Sequence, residues 1–229
     1  MSDIFALFAP LDRAGPGDAE SLHWALAVAG TAPDATVLDA GCGTGADLAE
    51  LLAAVPRGRV VAVDTAPAFI ERVRARFSAV EAHVADMADP PGGPFDLIWS
   101  AGAVYHLGVG PALDAWAGHL RPGGRVAFSD LAWYRPDPPE AARAFWAAEG
   151  LRLTDAAGLE AQVAAAGWKV LGARWLGPAG WASYYEPLAA RLAAFDGDPD
   201  LIAGFRAEIA LWRAHGRWYD YRIIVAAPA

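Results

Sequence analysis

The strongest constraint on the fold is a short apolar run at residues 37–40 that leads into a loop with glycine at three alternate positions. These glycines are Gly41, Gly43 and Gly45. Glycine adopts positive φ angles readily and places no Cβ between the backbone and a ligand. A buried strand followed by such a loop is typical of a nucleotide-cofactor site. Residues 37–47 therefore predict that a cofactor lies against this part of the backbone.

The loop alone does not identify its cofactor. Residues 41–46, Gly-Cys-Gly-Thr-Gly-Ala, also satisfy the loose dinucleotide pattern G-x-G-x-x-G/A. Asp64 ends the second predicted strand, where a dehydrogenase uses a carboxylate to hold the ribose of its cofactor. S-adenosylmethionine also contains a ribose. A nicotinamide-dependent oxidoreductase is therefore an alternative that these residues leave open.

Two further carboxylates favour S-adenosylmethionine. Asp39, just before the loop, can bind the cationic amino group of a methionine moiety, whereas it would repel a pyrophosphate. Asp86 follows the third predicted strand and can accept a hydrogen bond from an adenine amino group, while Met87 covers the ring. Each has a structural alternative, since Asp39 could only fix the loop and Asp86 could only cap a turn.

Apolar runs alternate with amphipathic stretches, which predicts an α/β fold: a Rossmann-like, doubly wound, mostly parallel sheet with helices on both faces. The predicted strands are 36–39, 59–64, 82–85, 95–100, 124–129, 168–176 and 219–226. Helices are predicted at 19–30, 46–55, 66–77, 111–120, 186–195 and 199–214, and after an N-cap at Thr154 through Ala166. We expect one domain over residues 1–229, made of an N-terminal cap segment (1–33), a cofactor-binding core (34–131) and a helical insertion over the acceptor pocket (178–217).

Composition narrows the class of protein. The chain of 229 residues is 55% hydrophobic, yet no apolar run approaches the roughly 20 residues of a membrane helix, so no membrane partner is expected. A net charge of -9 makes nucleic acid an unfavourable partner. The single cysteine and the absence of a basic leader predict a cytoplasmic protein. The five histidines lack a metal-binding spacing, so no metal is expected.

Five motifs, in order, resemble those of class I S-adenosylmethionine-dependent methyltransferases: Asp39–Gly45, Val61–Asp64, Ala85–Met87, Phe95–Ile98 and Leu120–Val126. The resemblance implies a seven-stranded sheet of order 3-2-1-4-5-7-6 with an antiparallel last strand, and S-adenosyl-L-methionine as methyl donor. A narrower likeness is to bacterial small-molecule methyltransferases of the ubiquinone/menaquinone biosynthesis type. Ala101 and His106 depart from that group, in which an acidic residue and an asparagine are frequent.

The predicted cofactor-binding residues come from the loop, the strand ends and the N-terminal segment: Arg13, Asp39, Gly41, Cys42, Gly43, Gly45, Asp64, Thr65, Asp86, Met87 and Ser100. Tyr105 and His106 follow the fourth strand and are the candidate catalytic residues, because ligands bind outside the carboxyl ends of such strands. His106 could remove a proton from the acceptor or could only bond the backbone. Arg13 could bind the carboxylate of the cofactor or be a solvated loop residue.

Aromatic residues concentrate in the last third of the chain: Trp175, Trp181, Tyr184, Tyr185, Trp212, Trp218, Tyr219 and Tyr221. They could line an acceptor pocket or form core, and Trp212, Arg213 and Trp218 could form a homodimer contact. The sequence thus predicts an enzyme that transfers a methyl group from S-adenosylmethionine to a small, partly apolar molecule. A NAD-dependent oxidoreductase and a non-catalytic S-adenosylmethionine-binding regulatory protein are the alternatives.

Overall fold

The structure is a computed structural model that describes residues 3–229, in which seven strands form one sheet of order β3-β2-β1-β4-β5-β7-β6. The strands are β1 (Thr36–Ala40), β2 (Arg59–Asp64), β3 (Val80–Val84), β4 (Phe95–Ser100), β5 (Leu120–Trp133), β6 (Trp168–Trp175) and β7 (Tyr219–Pro228). All pairs among β1 to β5 are parallel, and β7 is antiparallel to both β5 and β6. The predicted fold class and strand order are confirmed.

Nine α-helices occur within residues 3–229: α1 (Asp3–Phe8), α2 (Ala19–Ala29), α3 (Leu48–Ala54), α4 (Pro67–Arg76), α5 (Val109–Ala117), α6 (Glu140–Ala148), α7 (Ala156–Ala165), α8 (Pro178–Leu192) and α9 (Pro199–His215). The N-cap predicted at Thr154 is wrong. The cap is Asp155, whose carboxylate accepts a hydrogen bond from the Gly158 N–H at 2.8 Å. None of the helices in the described residues is long and apolar enough to span a bilayer.

β5 is longer than predicted at both ends. The predicted strand covers residues 124–129, whereas the observed strand covers Leu120–Trp133, and α5 ends before it at Ala117. Gly123 adopts a φ of 82°, which lets the chain bend without leaving the sheet, and the register against β4 shifts near Phe95. At the other end β7 continues to pair up to Trp133, opposite Tyr219, which keeps the strand extended.

The core lies on both faces of the sheet. Along β1, Val37 packs into the cluster covered by α2, α3, α4 and α8, and Leu38 packs into the cluster covered by α5 and α7. Every residue of β1 is buried. Burial on both faces explains why this strand reads as a continuous apolar run instead of alternating with polar residues. Such burial leaves the polar groups of the parallel strands at their carboxyl ends.

Candidate functional site

A cavity of about 650 Å³ opens at the carboxyl ends of β1 to β4. Its wall includes all the predicted site residues except Gly45 and Ser100. The predicted residues that line the cavity are Arg13, Asp39, Gly41, Cys42, Gly43, Asp64, Thr65, Asp86, Met87, Tyr105 and His106. The sequence motifs, which lie far apart along the chain, are therefore brought together around one space.

The glycine loop has the backbone shape that the sequence predicts. Gly41, Gly43 and Gly45 have φ angles of 79°, 50° and 80°, and the N–H groups of Gly41 and Cys42 both donate to the Val63 carbonyl at 2.9 Å. A Cβ on Gly41 would lie 2.7 Å from the Ala103 Cβ, so no larger residue fits. The loop is therefore fixed to the end of β2 with its backbone against the cavity.

Two predicted binding residues, Gly45 and Ser100, lie outside the cavity wall and have structural contacts. A Cβ on Gly45 would lie 3.0 Å from Leu48 and from Val73, so this glycine allows α3 and α4 to pack against the loop. Ser100 is fully buried, and its hydroxyl donates to the Ala40 carbonyl at 2.8 Å. The Ser100 hydroxyl thus joins β4 to β1, and its role as a cofactor-binding residue stays a prediction.

Asp39 is the most unusual carboxylate of the cavity. It is 3% exposed, and no donor among residues 3–229 forms a hydrogen bond with its side chain. Burial raises the pKa of Asp39 well above its ordinary value, and the charges of Asp47 and Asp64 raise it further, whereas Arg13 opposes them. An unpaired buried carboxylate is costly, so a bound cation at Asp39 would relieve that cost.

Asp64 and Asp86 each keep capacity to accept hydrogen bonds from a ligand. Asp64 accepts from the Gly43 N–H at 2.9 Å and from the Ala66 N–H at 2.8 Å, with one bond on each oxygen. Asp86 is exposed, and one of its oxygens accepts from the Ala88 N–H at 2.8 Å. A carboxylate offers about four acceptor positions, so hydroxyl or amino donors of a ligand can still bond to both.

Arg13 reaches the cavity as part of an ion pair that the sequence does not reveal. Its guanidinium Nη2 lies 2.5 Å from Oδ1 of Asp47, and the indole of Trp99 donates to Oδ2 of Asp47 at 2.8 Å. The Thr44 hydroxyl donates to the Asp12 carbonyl at 2.6 Å. These bonds fasten the N-terminal segment to the glycine loop, and Arg13 is not a solvated loop residue.

Tyr105 and His106 lie in a 3₁₀ turn, Val104–His106, after β4. Their ring centroids are 4.0 Å apart, and both side chains are exposed to the cavity and to solvent. Burial of the Tyr105 hydroxyl and the charge of Glu208 raise the pKa of Tyr105. The side chain of His106 makes no hydrogen bond within the part of the chain that the structure describes, so its imidazole is free to contact a ligand.

The N-terminal helix α1 forms a wall that sequence reasoning does not assign. Ile4, Phe5 and Phe8 face the cavity. Arg72 holds the end of the helix by donating to the Phe8 and Ala9 carbonyls. The prediction of a cap segment at residues 1–33 gave no helix here, and the only signal is the apolar spacing of residues 4, 5 and 8.

Comparisons with known proteins agree with this geometry. Residues 37–124 match a family described as a methyltransferase domain. A trans-aconitate 2-methyltransferase from Azoarcus sp. (strain BH72) is 38% identical over 95 residues, which is 41% of this chain and 38% of that protein. A malonyl-[acyl-carrier protein] O-methyltransferase from Dechloromonas aromatica (strain RCB) is 36% identical over 97 residues, 42% of this chain and 36% of that protein. The matches thus span well under half the length of these curated relatives.

The fold agrees over the whole chain. A S-adenosylmethionine-dependent methyltransferase from Geobacter sulfurreducens, solved with S-adenosyl-L-homocysteine, superimposes with a TM-score of 0.83 at 19% identity. The superposition covers 100% of this chain and 99% of that one. The superposition confirms the fold that the resemblance implies, and the family match confirms a methyltransferase domain at residues 37–124.

Proposed function

We propose that this chain, which has a methyltransferase domain at residues 37–124 and the matching fold, is a class I S-adenosylmethionine-dependent methyltransferase that methylates a small, partly apolar molecule. The observation that carries the proposal is the buried, unpaired carboxylate of Asp39 beside the glycine loop. A methionine ammonium group is the part of the donor that would neutralise it. A pyrophosphate would add negative charge to the same place.

The cavity residues fit S-adenosyl-L-methionine. Asp39 would hold the amino group, Asp64 the ribose hydroxyls and Asp86 the adenine amino group, with Met87 against the ring. Gly41 leaves the space that a Cβ would close. When bound, S-adenosylmethionine supplies a methyl group whose carbon–sulfur bond breaks, leaving its electron pair on sulfur, as the acceptor lone pair bonds to the carbon.

The contribution of the protein is mainly to position the two reactants. Well-oriented reactions lower the barrier by about 7 to 11 kcal/mol, and methyl transfer from a sulfonium needs no covalent protein intermediate. Tyr105 and His106 border the end of the cavity beside the glycine loop, and they are the proposed acceptor contacts. The free imidazole of His106 can accept the proton that an oxygen or nitrogen nucleophile releases.

The two alternatives have less support. A nicotinamide cofactor would bring a pyrophosphate into a cavity whose carboxylates, Asp39, Asp47, Asp64 and Asp86, face a single guanidinium, Arg13. The comparisons favour a methyltransferase, since one structural neighbour is a S-adenosylmethionine-dependent methyltransferase solved with S-adenosyl-L-homocysteine.

The acceptors in the names of the two relatives, trans-aconitate and a malonyl group, carry carboxylates. Here Arg13 is already paired with Asp47, so those acceptors do not suit this cavity.

Cofactor titration and turnover test the proposal together. Calorimetry should show binding of S-adenosylmethionine and S-adenosylhomocysteine and none of NAD. Asp39→Asn keeps the shape of the side chain, removes its charge and should weaken binding of S-adenosylmethionine, with Asp34→Asn as the exposed control. Binding of NAD alone would refute the assignment. Binding of S-adenosylmethionine without methyl transfer to any of a broad set of metabolites would favour the regulatory alternative.

His106→Ala tests the proposed proton acceptor. It should lower kcat with an oxygen or nitrogen acceptor and leave the affinity for S-adenosylhomocysteine unchanged, because His106 lies outside the donor contacts. Unchanged turnover would remove His106 from the mechanism.

We propose a cytoplasmic location because the chain has a single cysteine. We also propose that the protein does not bind nucleic acid, because its net charge is -9. A homodimer through Trp212, Arg213 and Trp218 stays a prediction, with Trp212 already packed on Tyr185 at 5.0 Å.

A further inference from the structure

Three tyrosines from separate elements lie along one side of the cavity, and a nearby glutamate accepts a hydrogen bond from a fourth tyrosine, Tyr185. Tyr105 follows β4, Tyr184 belongs to α8, Tyr221 to β7 and the carboxylate of Glu208 to α9. No side-chain hydrogen bond is made by the hydroxyls of Tyr105, Tyr184 and Tyr221 within residues 3–229. We call these three tyrosines and Glu208 the tyrosine–glutamate cluster.

Three contacts place the tyrosines of this cluster in the cavity wall or against it. Tyr105 is itself part of the cavity wall. Phe8, another wall residue, stacks on Tyr184 with ring centroids 6.3 Å apart and an interplanar angle of 13°. A Cβ on the wall residue Gly102 would lie 3.8 Å from the Tyr221 hydroxyl. The cluster therefore borders the side of the cavity that includes α1 and the turn after β4.

Glu208 is the centre of charge of the cluster. Its Oε1 accepts a hydrogen bond from the Tyr185 hydroxyl at 2.6 Å, and its second oxygen has no bonding partner among the described residues. Burial raises the pKa of Glu208, whereas the bond from Tyr185 lowers it and Glu149 raises it. No lysine, arginine or histidine within residues 3–229 forms an ion pair with Glu208.

Burial and the charge of this carboxylate both favour the neutral form of the neighbouring phenols. Burial, then the charge of Glu208, raises the pKa of Tyr105 and Tyr184, and burial together with Tyr105, Asp130 and Glu208 raises that of Tyr221. The neutral hydroxyls can each accept an N–H hydrogen bond. Aromatic rings and an unpaired carboxylate are the two kinds of group that stabilise a cation in an apolar site.

We propose that the acceptor is a small amine, drawn in as its ammonium cation toward Glu208 and the hydroxyls of Tyr105, Tyr184 and Tyr221. This inference rests on the proposed methyl transfer and specifies its substrate class. The ammonium must give up one proton before its nitrogen lone pair can attack, and His106, the proposed proton acceptor, lines the same cavity. The methylated amine then carries the positive charge that the sulfonium loses.

The proposal makes charge the basis of selection. A carboxylate acceptor would meet Glu208 as well as the acidic cavity wall, and an alcohol would gain hydrogen bonds without the attraction between charges. Phenethylamine, 2-phenylethanol and phenylacetate share a phenyl ring and a short side chain and differ mainly in charge. They are therefore matched probes for the complex of the protein with S-adenosylhomocysteine.

Calorimetric titration of that complex measures the selection without turnover. Phenethylamine should bind at least about tenfold more tightly than 2-phenylethanol, because this ratio corresponds to one cation–π contact or one partly desolvated ionic contact. Phenylacetate should bind most weakly of the three. Glu208→Gln keeps the acceptor oxygen for Tyr185 and should reduce the preference for the amine to within about threefold. Glu186→Gln makes the same change on an exposed residue of α8 and should leave the preference intact.

The outcomes separate the two proposals. Equal or tighter binding of phenylacetate, no measurable binding of phenethylamine, or an unchanged preference in Glu208→Gln would each overturn the amine assignment. None of these results depends on methyl transfer. Failure of the wild-type protein to bind S-adenosylhomocysteine would instead overturn the methyltransferase proposal. Transfer of a labelled methyl group to 2-phenylethanol but not to phenethylamine would support the enzyme and refute its amine acceptor.

Discussion

The guanidinium of Arg13 lies 2.5 Å from Oδ1 of Asp47, and both side chains are largely withdrawn from water beside the glycine loop. The pair joins the N-terminal segment to the residue that precedes α3. It also neutralises the charge of Arg13, which is the only arginine among the described residues of the cavity wall. The electrostatic character of the cavity is therefore set by its carboxylates.

Loss of that pair should destabilise the protein. Asp47→Asn removes the carboxylate that pairs with Arg13, whose side chain is 16% exposed, and we expect a loss of about 2 to 3 kcal/mol in the free energy of unfolding. Urea denaturation measures it. Glu140→Gln breaks an exposed ion pair with Arg143 and should cost less than about 1 kcal/mol. Equal losses in the two variants would contradict the structural importance of Asp47.

Gly41→Ala should affect both stability and ligand binding. The added Cβ would lie 2.7 Å from Ala103, at a φ of 79° that side chains disfavour. Gly123→Ala is the matched control because its φ is 82° and its Cβ would meet nothing within 4 Å. We expect about 1 to 2 kcal/mol of destabilisation from backbone strain in Gly123→Ala and more in Gly41→Ala.

Binding distinguishes the two glycines further. Calorimetry with S-adenosylhomocysteine should show weaker affinity for Gly41→Ala and unchanged affinity for Gly123→Ala, because Gly123 is not part of the cavity wall. If both variants bind equally well, the loop does not need close backbone approach at Gly41.

Asp64→Asn should weaken the glycine loop and the cofactor site together. The two oxygens of Asp64 accept hydrogen bonds from the backbone N–H groups of Gly43 and Ala66. The NH₂ group of an asparagine would place a second donor against one of these N–H groups. We expect a loss of about 1 to 3 kcal/mol in unfolding free energy and at least about a tenfold lower affinity for S-adenosylhomocysteine. Asp34→Asn provides an exposed control. If Asp64→Asn binds S-adenosylhomocysteine with normal affinity, Asp64 does not hold the ribose.

Asp130 should make stability depend on pH between about 4 and 6. Burial raises the pKa of Asp130 from 3.8 to about 6, although its bond from the Leu131 N–H opposes the shift. The folded protein then holds a proton that the unfolded chain releases, so stability falls as pH rises through this window. By linkage, the loss reaches about 3 kcal/mol at most above pH 6.

Asp130→Asn removes that titration. The difference in unfolding free energy between variant and wild type, measured in urea at several pH values, should be constant below about pH 4. It should then move in favour of the variant up to about pH 6 and level off. A difference that does not change across this range would show that the folded and unfolded states share one Asp130 pKa.

The sheet is predictable because its signals are local. Continuous apolar runs mark strands that are buried on both faces, and the polar residues that follow them collect at one edge once the strands are parallel. Asp39, Asp64 and Asp86 thus reach one cavity from three separate motifs. The boundaries of β5 were less accurate, because pairing with β7 extends the strand beyond its own apolar pattern.

Contacts between distant segments were not predictable. Nothing in the local pattern links Arg13 to Asp47, which are 34 positions apart, or places Phe8 on Tyr184. The position of Ser100 outside the cavity wall was not predictable for a different reason. Successive residues of a strand face opposite sides, so one position of difference separates a cavity residue from one that bonds the neighbouring strand.

The aromatic residues of the last third divide in a way that only the fold reveals. Trp181, Tyr185 and Tyr219 pack against one another as core, with ring centroids of Trp181 5.6 and 5.5 Å from those of the two tyrosines. Tyr184 and Tyr221 adjoin the cavity wall through Phe8 and Gly102. The sequence offers no basis for this division because both groups lie in the same two elements, α8 and β7.

The cavity wall comes entirely from residues 4–107, whereas three of the four members of the tyrosine–glutamate cluster come from residues 184–221. We expect the donor site and the cluster to tolerate substitution separately. Mutagenesis at Tyr184, Glu208 and Tyr221 should yield variants with new acceptors and little change in donor affinity. The fold would then serve as a starting point for directed evolution in which only its second half is varied.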